Sequence, residues 1–251
     1  MIHVAVSAAE TGSSRRLADR DAVLVYSRTM TYRHESIELG LAAVRRQASR
    51  FGLRVIAGED PGLLTDMVLR DVAMVVFLNT TGDAVDETGQ AAIERYIRRG
   101  GTFLGIHAAA DTEYDWPWYQ SLVGGVFKGH PFGANGELQI QKARLIRPDD
   151  VPCQFKHLPR AWKARDEWYN FRKFSDGIRP IVKLDTSSYE GSAHLGDHPI
   201  GWVRDYDGGR SAYLGLGHDL RAFDNRHARS LLRSTFAYLL DIRRGFVGCR
   251  R

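Results

Sequence analysis

Short, almost wholly apolar runs alternate along this chain with segments in which apolar residues recur every three or four positions. Residues 23–26 (VLVY) form the first run, and after a polar loop Ile37, Leu41, Val44, Ala48 and Phe51 fall on one face of a helix. Residues 53–57 and 72–78 read as the second and third strands. Ile93, Tyr96 and Ile97 then mark a helix closed by Gly100 and Gly101, and residues 102–106 form a fourth strand. Only a strand buried on both faces dispenses with polar–apolar alternation, so the pattern predicts a parallel sheet covered by helices on both sides. The fold class is α/β, and the first half is flavodoxin-like.

From about residue 137 the pattern shortens, with apolar segments at 138–146, 180–184, 200–203 and 211–214 separated by turn residues. These read as antiparallel additions to the sheet. Asp207, Gly208 and Gly209 predict a hairpin, since glycine supplies the positive φ of a tight turn. A last helix from Arg226 to about residue 242 places Leu231, Leu232, Thr235, Phe236 and Leu239 on a broad inner face. One domain accounts for residues 1–251, with its core at about 22–240. Residues 2–6 could add an edge strand, and the arginine-rich end, residues 243–251, reads as a flexible tail.

Composition changes this picture little. A hydrophobic fraction of 43% and a charged fraction of 26% belong to an ordinary globular protein. The net charge of +5 hints at nucleic acid until Arg243, Arg244, Arg250 and Arg251 are seen to supply most of it. Elsewhere the signs are interspersed, so no nucleic-acid partner is expected. Neither a signal-like start nor an apolar run long enough for a membrane span is present, which predicts a cytoplasmic protein. Cys153 and Cys249 sit in no metal or redox spacing and are expected as unpaired thiols.

In open parallel sheets ligands bind beyond the carboxyl ends of the strands. Tyr32, Arg33, His34, Glu35 and Ser36 follow the first strand, Asn79, Thr80, Thr81 and Gly82 the third, and the stretch from His107 to Asp111 the fourth. Asp111, Tyr114, Trp116, Trp118 and Tyr119 mix carboxylate and rings, as recognition of a sugar requires: flat faces stack on its C–H groups while acids accept its hydroxyl protons. Asp166, Glu167, Trp168 and Tyr169 repeat the pairing, and Glu167 could act as an acid or base if burial raises its pKa towards neutrality. Leu214, Gly215, Leu216 and Gly217 deliver His218 at the end of another strand. Gly129-His130-Pro131 and Asp197-His198-Pro199 look like turns, so His130 is held only as a substrate contact and His198 is left out.

The long segment from Gly101 to Tyr119, together with Tyr32–Ile37, Gly129–Pro131, Asp166–Asn170, His198–Trp202 and Leu216–His218, resembles the ThuA-like (trehalose-utilisation) family over residues 22–240. The resemblance implies a class I glutamine amidotransferase-like three-layer sandwich. At the strand-to-helix turn where such amidotransferases carry a nucleophilic cysteine, this chain has His107, which cannot form a thioester. Glutamine hydrolysis is therefore not expected. Family similarity also maps His34, His107, Asp111, Glu167 and His218 onto the pocket, while Ala110 stands where many relatives are expected to have threonine.

The expected function is processing of trehalose-like disaccharides or their keto derivatives, as a hydrolase, lyase or isomerase. Its catalytic candidates are His107, Glu167, His218 and Asp111, and its substrate contacts His34, Arg33, Tyr114, Trp116, Trp168 and His130. Two alternatives stand beside it, a non-catalytic sugar-binding or partner subunit and a metal-assisted hydrolase. No spacing such as H-E-x-x-H is present, so no cofactor and no metal are assigned. The expected partner is a small carbohydrate rather than nucleic acid or membrane, with self-association into a homo-oligomer left open.

Overall fold

The computed structural model describes residues 20–132, 136–137, 139–194, 196–246 and 249. In chain order its elements are β1 (Ala22–Tyr26), α1 (Ile37–Arg50), β2 (Arg54–Gly58), α2 (Asp66–Leu69), β3 (Val72–Leu78), α3 (Glu87–Arg98), β4 (Thr102–Ile106), α4 (Pro117–Val123) and β5 (Gly125–Gly129). The second half continues with β6 (Gln141–Ile146), β7 (Ala161–Asp166), β8 (Asn170–Phe174), β9 (Arg179–Leu184), β10 (His198–Tyr206), β11 (Gly209–Leu214) and α5 (Arg226–Leu239). Every residue of β1, β3 and β4 is buried, as strands covered on both faces must be.

The main sheet runs β2-β1-β3-β4-β11-β10-β9-β6-β7, and β5 pairs separately with β8. The first five strands are parallel and have the flavodoxin order, with β11 in fifth place. Residues 211–214, expected among the antiparallel additions, thus have a double role: β11 is parallel to β4 and antiparallel to β10. The hairpin between β10 and β11 turns at Asp207 (φ 46°) and Gly208 (φ 89°), two successive positive φ values as a type I′ turn demands. Gly124 (φ 85°) ends α4 where a Cβ would fall 2.6 Å from Trp202 Nε1, so only glycine fits there.

The antiparallel half does not continue flat. Four strand steps separate β7 from β11, which in a flat sheet is about 19 Å. Asp166 at the end of β7 nevertheless accepts from Gly217 N at 2.8 Å. The outer strands must curl back over the carboxyl ends of the parallel ones, and that curl brings Glu167 to the loops after β1, β4 and β11.

Two expectations are corrected at the chain's end. Cys153 and Cys249, 96 residues apart, form a disulfide, because the last residues return to the 3-10 turn Cys153–Phe155. Sequence separation carries no information about that approach. The tail is correspondingly anchored as far as the structure describes it: Phe246 is buried, with His157 at 5.7 Å and the Arg233 guanidinium over its ring. The edge strand suggested for residues 2–6 lies outside the described residues.

Candidate functional site

Four loops meet at the carboxyl end of the parallel strands and are laced by backbone bonds: Met30 N donates to Thr81 O, Gly82 N to Asp111 O, and Glu113 N to Gly82 O. His107 opens a 3-10 turn directly after β4 with φ 48°, a left-handed conformation uncommon for a residue with a Cβ. Strain of this kind, on the order of 1–3 kcal/mol, persists where surrounding contacts hold it, and it clusters at functional sites. Here the holding contacts are Tyr213 Oη, which donates to His107 O at 2.8 Å, and Gly215 O, which stands 3.2 Å from His107 Nδ1. The Gly215 carbonyl can only accept, so Nδ1 carries a proton and Nε2 faces inward.

That inward nitrogen lies 3.0 Å from Glu167 Oε2, with His218 Nδ1 at 3.1 Å from the same oxygen and His130 Nε2 at 3.3 Å from Oε1. The His34 ring stands edge-on to His107 and His218, its centroid 5.0 and 4.9 Å from theirs. One ligand atom from each of His34, His107, Glu167 and His218 lies within 4.8 Å of the other three. His107 and Glu167 are sealed, whereas His218 and His130 are 11% and 21% exposed and face the opening.

Burial would push Glu167 up, but the imidazoles of His107 and His218 hold its carboxyl well below the usual carboxylate range. The condition for Glu167 to act as a near-neutral acid is thereby not met, because three imidazoles, those of His107, His130 and His218, stand against its carboxylate. His107 moves the other way. Its burial opposes a charge, yet the Glu167 carboxylate raises its pKa above the ordinary value. Burial, together with the neighbouring imidazoles, pushes His34 down to about 2, so it stays neutral. Asp111, at the end of the His107 turn, is raised by burial and accepts from the Tyr114 phenol.

Asp166 and Asn79 were seen in the site loops on sequence but given no role there. Asp166 is fully buried and accepts four backbone N–H groups: Glu167, His218 and Asp219 on Oδ1, and Gly217 on Oδ2. It thereby positions Glu167 and His218 at once. Asn79, with φ 51°, donates to Ser36 Oγ and Gly217 O, tying the loops after β1 and β3 to the one that carries His218. A short polar side chain directly after the apolar strand β3 was the available signal for Asn79.

The remaining candidates are placed elsewhere. Arg33 pairs with Glu59 on the surface. Trp168 is buried and donates to Gln141 O, and Trp116 is stacked between Trp118 and Tyr119 while donating to Glu94. These two tryptophans present no free face to a ligand. The rings at the opening are instead Tyr32, beside His34 and His218, and Phe132, beside His130, which are 56% and 60% exposed. His198, left out on sequence, is a satisfied core residue whose Nε2 donates to Tyr169 O and whose Nδ1 accepts from Tyr189 Oη. A separate concavity of about 570 Å³ lies at the other end of β11, around Gly100, Asp207 and Arg210, far from this chemistry.

Fold and site together define a flavodoxin-like α/β protein with an imidazole–carboxylate cluster at its strand ends. The profile of the family described as ThuA, trehalose utilisation, matches residues 22–239, and the chain belongs to that family. Among solved structures it is similar to a ThuA-like protein from Bacteroides uniformis, with 22% identity, TM-score 0.74, and 88% of this chain and 91% of that one covered. A ThuA-like protein from Parabacteroides merdae shows 18% identity and TM-score 0.68, with 92% and 93% covered. A β-galactosidase from Bacillus circulans shares the fold at 12% identity and TM-score 0.53, over 91% of this chain and 31% of the galactosidase. No curated protein sequence matches. Among the described residues no helix is long and apolar enough to cross a membrane.

Proposed function

We propose that this chain is an enzyme acting on a trehalose-like disaccharide or its keto derivative, with imidazole and carboxylate groups exchanging protons at the His34–His107–Glu167–His218 cluster. The observation that carries the reading is Glu167 Oε2 standing 3.0 and 3.1 Å from ring nitrogens of His107 and His218. An ionised carboxylate between imidazoles holds one ring as imidazolium, and an imidazolium beside a substrate oxygen can donate its proton and later recover it. In this reading His218, nearer the opening, passes a proton to a sugar oxygen, with Glu167 and His107 packed behind it. Tyr32 and Phe132 offer exposed ring faces for the C–H side of a pyranose. Family membership favours a trehalose-related substrate.

The test is turnover of a 3-keto-disaccharide by His107→Ala and Glu167→Gln variants. Both are expected to lose activity by at least about a hundredfold while melting within a few degrees of the parent, since general acid–base groups contribute roughly 10²–10⁴ in rate. Undiminished turnover in both overturns the proposal.

A second reading is favoured by one detail. His107 Nε2, His218 Nδ1 and His34 Nδ1 are buried and none is aligned for a hydrogen bond, despite the short distances to Glu167. Three nitrogens and a carboxylate oxygen suit a divalent transition metal of the zinc type. Bound there, such an ion would act as a Lewis acid on a sugar carbonyl or on water. Elemental analysis before and after chelation separates the readings: about one equivalent of metal, lost together with activity, favours the second, and full turnover by metal-free protein removes it.

A further inference from the structure

We propose that His194 is a positioning residue for the cluster, fastening a strap, residues 189–194, to the cluster's outer wall and releasing it in acid. This role requires the cluster to be the functional site and is indifferent to the reaction performed there. The wall is the segment that leads from Glu167 into β8. Along one edge β8 pairs with β5, so backbone groups on its other edge need partners from elsewhere. The strap supplies one, since Phe171 N donates to His194 Nε2 at 3.0 Å. The Asn170 side chain adds to the hold, accepting from Ala193 N at 2.9 Å and donating to Gly191 O at 3.0 Å. Farther along, Glu190 N and O are both bonded to the Gln141 amide.

Two site segments lean on this strap. Tyr169, just before the fastened residues, lays its ring 4.3 Å from that of His107 and 4.2 Å from that of Phe127. Pro131, next to His130, packs on Gly191 so closely that a Cβ there would fall 2.7 Å from Pro131 Cβ. Freeing Asn170 and Phe171 therefore loosens the backing of His107 and His130 together.

Protonation undoes the hold. A neutral imidazole accepts at one nitrogen, but an imidazolium donates at both, so the Phe171 N–H would face another N–H. His194 is half-buried and within reach of solvent protons, whereas His198 is buried. His198 also keeps its partners in either state, because the Tyr189 hydroxyl at its Nδ1 can turn from donor to acceptor. The charges facing His194 are Lys128 of β5 and Asp197 just before β10, and the His198 ring stands 4.3 Å away. From β8 it meets the uncharged rings of Phe171 and Phe174. Asp197 favours the imidazolium but is itself paired with Lys183 of β9 at 2.7 Å. Burial and Lys128 prevail and hold His194 below its ordinary 6.5. Once released, His194 returns towards 6.5, so neutral pH keeps the strap fastened and acid below that value selects the released form.

Amide hydrogen exchange on the full chain tests this, with protection read against an unstructured reference at each pH. Between pH 7 and pH 5 protection of the Phe171 amide is expected to fall by about tenfold, about thirtyfold being the ceiling for a group whose ordinary pKa is 6.5. Residues 128–130 should loosen with it, while residues 102–106 of β4 keep their protection. His194→Gln puts an acceptor that does not titrate near the place of Nε2, so it should match the parent at pH 7 and hold that level at pH 5. His194→Leu removes the acceptor and should lose at pH 7 what the parent loses at pH 5. None of these readings needs turnover, which separates their outcome from that of the proposed reaction. Phe171 protection indifferent to pH in the parent, an acid loss in His194→Gln equal to the parent's, or full protection in His194→Leu overturns the proposal. So does a parallel loss in β4, which would make the change global, or residues 128–130 staying protected while Phe171 is freed, which would leave the strap no hold on the site.

Discussion

Replacing Asp166 by asparagine should unfasten two site residues at once. In the parent, Oδ1 receives Glu167 N, His218 N and Asp219 N at 2.9, 3.0 and 2.9 Å, and Oδ2 receives Gly217 N at 2.8 Å. Asparagine keeps one oxygen for the first three donors but sets its amide N–H₂ against the Gly217 N–H, donor facing donor. A charge-assisted bond worth about 1.5–3 kcal/mol is lost, and a buried donor left unpaired costs on the order of 1–3 kcal/mol more. The three surviving bonds also pass from an ionised to a neutral acceptor. A destabilisation of roughly 3 kcal/mol or more follows, and in a chain of this size each kcal/mol lowers Tm by about 2–4 °C. Calorimetric unfolding should therefore show a drop of roughly 6–12 °C, and turnover should fall more than occupancy of the folded state explains, because Gly217 and His218 move together. A Tm within about 1 °C of the parent would refute the clamp, and normal kcat in a destabilised variant would refute its role in placing His218.

The other predictions concern a buried histidine, the disulfide and a ring at the opening. His198 is buried, faces His194 at 4.3 Å, follows Asp197, and is pushed by burial from 6.5 down to about 4. The unfolded chain binds this proton first, so stability is full above pH 6.5 and declines as pH falls towards 4, by up to about 3 kcal/mol. Urea midpoints of His198→Asn should fall less steeply with acid than those of the parent, and parallel slopes would contradict this. The disulfide spans 96 residues, for which loop-closure entropy gives about 4–5 kcal/mol as an upper figure. Thiol titration should find no free cysteine until the chain is reduced, and Cys249→Ser should melt several degrees lower; two reactive thiols in the native chain would refute the pairing. Tyr32→Ala should raise KM for the sugar severalfold with kcat little changed, since an exposed ring supplies uniform binding, and an unaltered KM would remove that ring from the site.

The parallel half was legible because its strands are buried twice and its long helices carry apolar residues at helical spacing. Residues 72–78 and 102–106 matched β3 and β4 without a shift, and Asp86 caps α3 through Gly89 N. The loops bearing His34, His107 and His218 followed from the rule that ligands gather at strand ends. What sequence did not reveal depends on long-range geometry. β7 reaches the site only because the outer strands curl, so the sequence showed Asp166 merely as one of two acids before two rings, and all four of its partners are backbone N–H groups that carry no sequence signature. Trp116 and Trp168 invited a stacking role by their neighbours in sequence, yet their indole N–H groups point to Glu94 and Gln141 and their faces are spent on packing. Exposure, which no residue letter encodes, leaves Tyr32 and Phe132 as the rings at the opening.

The convergence of imidazoles on Glu167 is tested most directly by product analysis. Parent and Glu167→Gln proteins, with parental metal content verified in each, would be incubated with a panel of disaccharides and their 3-keto derivatives and read by mass spectrometry. A product from at least one keto-disaccharide with the parent and none with the variant is the outcome this account predicts. Equal product from both proteins, or saturable binding without product from the parent, would contradict it.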